Sequence, residues 1–249
     1  MYKFFRAILV LSLTAWLAAG CGSPEPVDVT AEFNELIKAP ATAESVAAAD
    51  EFLRSKLANI DEEQAANLLL ALEEYALSYD NTSVDYAELL RDYENEIPDY
   101  LVELFLFKEA EYQTPIISGA ALMISWPELL ERTDAIEGYI KRYKDAALVK
   151  EDALWLYRRY LNAVLTGASN SPVFDYTTHR FSEEAQTAYK AYTDSHPDTV
   201  LTCAILEYET YLDSIGYEFS YEGDDSVEFF DMCNRLTADA EKKVYQNTQ

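Results

Sequence analysis

Residues 61–79 read Asp61-Glu62-Glu63-Gln64-Ala65-Ala66-Asn67-Leu68-Leu69-Leu70-Ala71-Leu72-Glu73-Glu74-Tyr75-Ala76-Leu77-Ser78-Tyr79. Ala65, Leu68, Leu72, Tyr75 and Tyr79 recur at three- and four-residue steps, the spacing that lines one face of an α-helix. Asp61 precedes the run as a helix-capping residue. Glu62 and Glu63 put negative charge at the positive end of the helix dipole. The reading assigns Glu62, Glu63 and Glu73 to the outer, solvated face.

The same grammar extends in both directions. Upstream, Asp28 or Thr30 caps a short helix through Phe33, Leu36 and Ile37, which Pro40 ends, and Thr42 caps a second helix running to about Leu57. Downstream, Thr82 or Ser83 starts a fourth helix through Tyr86, Leu89, Leu90 and Tyr93. Pro98 falls in the first turn of a fifth, where its missing N–H costs no internal bond. Residues 100–107 are apolar except Glu103, and residues 116–126 carry no charge. A helix apolar on every side is enclosed by others, so residues 100–126 are expected at the centre of the fold.

Pro127 begins the next helix, with Leu130, Ile136, Ile140 and Tyr143 inward. Another spans about 149–165, packing Leu154, Trp155, Tyr160, Leu161 and Val164, with Gly167 as its terminating glycine. Residues 167–181 are rich in Ser, Asn and Thr, and read as a surface loop or a boundary between two lobes. Ser182 and Pro197 open two more helices, residues 216–223 form an aromatic turn, and a last helix covers about 226–245. About eleven helices on short connections define an all-α domain of antiparallel helical hairpins, arranged as a multi-helix bundle or a short curved helical-repeat stack. No fixed repeat period runs through the chain.

Composition narrows the functional classes. Of 249 residues 49% are hydrophobic, while seven glycines and eight prolines are too few for a disordered or turn-rich β protein. A net charge of −26 disfavours nucleic acid, whose phosphates need Lys and Arg partners, and disfavours electrostatic docking on anionic lipid heads.

The N-terminus has the order of a secretory signal. Lys3 and Arg6 precede an apolar run from Ala7 to Leu17, and Ala18-Ala19-Gly20 lead into Cys21. Small residues before a cysteine resemble the lipobox of bacterial lipoprotein precursors; here Leu17 stands four residues before the cysteine and Ala18 three. The resemblance implies that residues 1–20 are a removed signal peptide and that Cys21 becomes a lipidated N-terminus. Residues 21–29 then form a Pro-bearing tether, and residues 30–249 a helical domain held on the extracytoplasmic side of a membrane in the bacterial cell envelope. The acyl chains at Cys21 would supply the membrane contact.

Residues with chemistry are few. Cys203 and Cys233 either form a disulfide, which an oxidising compartment permits, or are small buried hydrophobes on neighbouring helices. His179 and His196 match no metal-ligand spacing, no nucleophile elbow occurs, and the acidic run Glu222-Gly223-Asp224-Asp225 lacks the ligand alternation of a calcium loop. No catalytic residue, cofactor or metal is assigned.

Nineteen tyrosines are the unusual feature, several in helical pairs such as Tyr75/Tyr79, Tyr139/Tyr143, Tyr157/Tyr160, Tyr189/Tyr192 and Tyr208/Tyr211. Packing between helices with hydroxyls at the rim accounts for most of them. Tyr217, Phe219 and Tyr221 lie on a turn and are the rings expected at a binding surface. The expected function is a non-catalytic binding or scaffolding lipoprotein whose partner is an envelope protein or a glycan. Ligand binding for a transporter, or a carboxylate-dependent hydrolase, are the alternatives.

Overall fold

A computed structural model describes residues 28–80, 84–223 and 225–246. The expected signal peptide, the expected lipidation site Cys21, most of the expected tether, and Thr82 and Ser83 lie outside the described residues. The described chain is all-α: α1 Val29–Leu36, α2 Ala43–Lys56, α3 Glu62–Tyr79, α4 Tyr86–Tyr93, α5 Asp99–Gln113, α6 Trp126–Arg142, α7 Lys150–Thr166, α8 Glu183–Ser195, α9 Val200–Ser214 and α10 Ser226–Gln246. Two short antiparallel hairpins interrupt them, β1 Ile117–Ser118 with β2 Ala121–Leu122, and β3 Gly167–Ala168 with β4 Ser171–Pro172.

Local chemistry explains most starts. Asp28, Asp61, Asp85, Ser125, Ser182 and Thr199 each accept a hydrogen bond from a backbone N–H three residues on, and Thr42 with Ser45 closes a reciprocal capping box. Asp85 rather than Thr82 or Ser83 therefore opens α4. Pro98 sits at the N-cap of α5 rather than inside its first turn, and Pro197 lies ahead of the cap Thr199.

Consecutive helices pack in pairs: α2 on α3, α4 on α5, α6 on α7, α8 on α9, with α10 returning onto α7 and α9. One continuous hydrophobic cluster runs from Phe33 to Val244, and residues 167–181 contribute Val173, Phe174 and Phe181 to it.

Three features differ from the sequence expectation. The run 116–126 is not a core helix: residues 117–122 form a hairpin and Trp126 already opens α6. Pro115 stops α5, and Gly119 and Ala120 both take positive φ (56° and 63°), the two-residue turn that suits strand twist. The turn is held against the second hairpin: Asn170 donates to the Ala120 carbonyl at 2.6 Å and to the Gly119 carbonyl at 2.9 Å. Helix α5 does lie among neighbours, meeting Glu73 of α3, Tyr86 of α4, Tyr139 of α6 and Tyr160 of α7, but it is not enclosed all round: Leu106 is exposed, and Trp155 on α7 is 52% exposed against the Arg159 guanidinium. Glu73 is buried rather than solvated, because Lys108 of α5 reaches it at 2.6 Å and also pairs with Asp152 at 2.6 Å. A charge leaves water at tolerable cost only when so paired.

Candidate binding trough beside α8

The tyrosine pairs mostly build the core. Tyr75, Tyr139, Tyr157, Tyr160, Tyr189, Tyr192 and Tyr208 are buried, and Tyr79 alone among the pairs is exposed. Two of them solve a specific problem. The last carbonyls of a helix have no intrahelical donor, and the end of α7 is buried. Tyr189 of α8 donates to the Val164 carbonyl, Tyr208 of α9 donates to the Leu165 carbonyl at 2.7 Å, and Val173 N–H donates to the Thr166 carbonyl at 3.3 Å. Burial drives both phenols well above their ordinary range, so they stay neutral donors.

Gly167 then leaves the helix at φ 71° and ψ −145°, a conformation open to glycine alone, and a Cβ there would stand 2.3 Å from the Ser171 carbonyl oxygen. This glycine sends the chain into β3–β4 and the loop 173–182 that frames the site.

That loop is closed by its own polar groups. Phe174 and Phe181 form a bridge, Asp175 N–H donates to the Arg180 carbonyl at 2.9 Å, and His179 takes φ 59°. The Asp175 carboxylate accepts from the Thr177 N–H at 2.9 Å and the Thr178 N–H at 2.6 Å. Those two backbone bonds, Thr178 first, hold its carboxyl below the usual range. The loop is pinned to the 216–221 turn by Phe181 N–H to Tyr217 carbonyl (3.1 Å), Phe219 N–H to His179 carbonyl (2.8 Å) and an Arg180–Glu218 ion pair at 2.5 Å.

This pinning corrects the expected binding rings. Gly216 and Tyr217 both take positive φ and turn Phe219 inward, where it is buried 5.2 Å from the Phe174 ring and 4.5 Å from that of Phe229. Tyr217 and Tyr221 are half-buried. Burial pushes the Tyr221 phenol up to about 12. The exposed ring is Tyr176, 55% accessible, its hydroxyl donating to the Ser169 carbonyl at 3.0 Å and its ring 5.1 Å from Tyr221. Sequence reasoning passed over Tyr176. Its signal was local: an aromatic between an Asp and two Thr, a turn former presenting a ring.

Tyr176 stands over a depression of about 790 Å³ walled by Asn170, Thr178, Arg180, Gln186 and Tyr217. Pro172, Ser182 and Glu183 are shared with a second depression of about 830 Å³ that continues along α8 to Trp126. Together they make an open trough edged by hydroxyls, amides and carboxylates, with aromatic rings toward its ends. On the other side of Tyr176 a smaller cleft, about 330 Å³, is lined by Ile117, Ala168, Tyr221 and Phe230.

The remaining sequence candidates fall elsewhere. Cys203 and Cys233 are both free thiols. Cys203 faces outward from α9 whereas Cys233 is buried in α10, its thiol pushed up to about 12 by burial. The small-hydrophobe reading thus describes Cys233, and the bridge is not formed because the two helices present these residues to different surroundings. His196 stacks on Tyr192 at 4.5 Å. Among the described residues no three of His, Cys, Asp and Glu gather closely enough to hold a metal ion, and no helix is long and apolar enough to cross a membrane.

No protein-family model matches the chain, and neither the curated proteins nor the solved structures offer a match.

Proposed function

We propose that this chain is a non-catalytic binding module, carried by a lipid on Cys21 at the extracytoplasmic face of a bacterial membrane, and that its trough beside α8 takes an extended glycan. The observation that supports the reading is Tyr176: an exposed ring, fixed at its hydroxyl, at the end of a polar trough. Sugar rings stack their apolar faces on aromatics while their hydroxyls exchange bonds with short polar side chains, and this trough supplies both. The lining mixes hydroxyl and amide side chains such as Thr178, Ser182, Gln186 and Thr187 with apolar Leu122, Ile124, Pro172 and Ala188, the mix of hydrogen-bonding and apolar surface that a sugar chain itself presents. Asp175 is a poor general acid, since its backbone bonds favour the carboxylate.

The test is retention of the full chain, in detergent, on purified cell-wall glycan. Tyr176→Ala is expected to weaken retention about three- to tenfold, because aromatic stacking contributes on the order of 1 kcal/mol. Retention unchanged by that substitution, or absent in the wild type while an envelope protein is captured stoichiometrically, would sink the glycan reading.

A further inference from the structure

A second site lies at the opposite end of the chain order, between α2, α3 and α4. A cavity of about 330 Å³, within the size range of small-molecule sites, has apolar walls from Val46, Leu72, Ala76 and Leu89. Five charged side chains line it: Asp50, Arg54, Glu73, Asp85 and Glu88. The single cation is already engaged. Arg54 Nε donates to Asp50 at 2.8 Å, and its terminal nitrogens bond Asp92 and Glu88. Asp50 also accepts from the Tyr93 hydroxyl on its other oxygen, at 2.6 Å, but Glu73 and Asp85 are less completely used. Buried Glu73 takes both of its bonds, from Lys108 (2.6 Å) and Tyr86 (2.5 Å), on Oε1, and Oε2 accepts none among the described residues. Asp85 caps α4 through Oδ1 alone. Tyr79 adds a ring that is 50% exposed.

We infer that this cavity binds a small organic ammonium, an amine on a short apolar chain. Each part of such a ligand has a counterpart. The alkyl chain meets the aliphatic walls, the charged head meets carboxylate oxygens with spare lone pairs, and the face of Tyr79 attracts the cation through its ring quadrupole. An anion is excluded by the four-to-one excess of carboxylates over guanidinium. A cleft of about 330 Å³ suits a molecule of that size and not a folded partner. The inference stands on observations separate from the trough and survives the failure of the glycan reading.

Isothermal titration calorimetry on the full chain in detergent, with n-butylammonium chloride as probe and n-butanol as its neutral counterpart, tests it. The ammonium is expected to bind about tenfold or more tightly than the alcohol, since hydrogen bonds to charged groups are the stronger class. Tyr79→Ala should weaken it about fivefold with helical content unchanged. Asp85→Asn, which keeps a capping side chain, should also weaken it, and Glu73→Gln should abolish the preference for ammonium. Should Glu73→Gln fail to fold, the two rim substitutions carry the decision. Equal binding of alcohol and ammonium overturns the inference. So does ammonium binding that both rim variants leave intact, or binding of a lysine-bearing peptide without binding of the amine.

Discussion

Gly167 is the residue on which the frame of the trough depends. Its φ and ψ belong to glycine, and the Ser171 carbonyl occupies the place of a Cβ. Gly167→Ala is expected to destabilise the fold by about 3 kcal/mol or more, read as the shift in denaturation midpoint. A loss under about 1 kcal/mol would show that the turn re-forms without strain. Asp175 supplies the pH dependence at this scale. Its folded value lies below the unfolded one, so its contribution is complete above the ordinary carboxylate range and disappears as pH falls through the lower, folded value. The Thr177 and Thr178 amide resonances should therefore titrate together with a midpoint below about 3.9. A midpoint above that would mean the loop bonds do not stabilise the anion. Cys203 and Cys233 differ for the same local reasons. A thiol reagent applied to the native protein should modify Cys203 and leave Cys233 at least a hundredfold slower, as peptide mapping reads it, until the chain unfolds.

Helix ends, rather than helix faces, are where tertiary partners intervene. Glu137 of α6, almost fully buried, accepts the Val200 and Leu201 N–H groups at 2.8 Å each and so caps α9 from another helix, while Lys141 pairs with it at 2.5 Å. Glu137→Ala removes the acceptor for two buried donors and should cost about 3–5 kcal/mol in urea unfolding. An effect near that of a surface substitution would refute the capping role. Caps that lie in the local sequence were legible: Asp61, Thr42 and Ser182 are short polar residues directly before an apolar periodic run. Glu137 was not, because its partners are more than sixty residues away and glutamate inside a helix reads as solvated surface. Glu73 misled in the same way. Residues 116–126 misled differently, since a short uncharged run carries no period long enough to separate a helix from a hairpin.

Across the whole molecule, hydrophobic periodicity determined that the chain folds into successive helices with one core, and that most of the described tyrosines pack in it or against it. Periodicity reports a residue's immediate face, and burial of that face is the dominant favourable term in folding, so the all-α class is written in the local pattern. The expectation for residues 1–21, a signal leading to a lipidated cysteine, likewise rests on linear order alone. Which rings remain outside was decided only in three dimensions. Phe219 and Tyr176 both sit in polar turns, and backbone bonds between residues about forty apart put one in the core and leave the other on the trough. The same holds for the charges: that Lys108 neutralises Glu73, and that Arg54 is consumed by Asp50, Asp92 and Glu88, follows from how α2 to α5 pack. Sequence determines which side chains a helix offers; the packing of helices against one another determines which of those offers reach solvent, and so what the protein can bind.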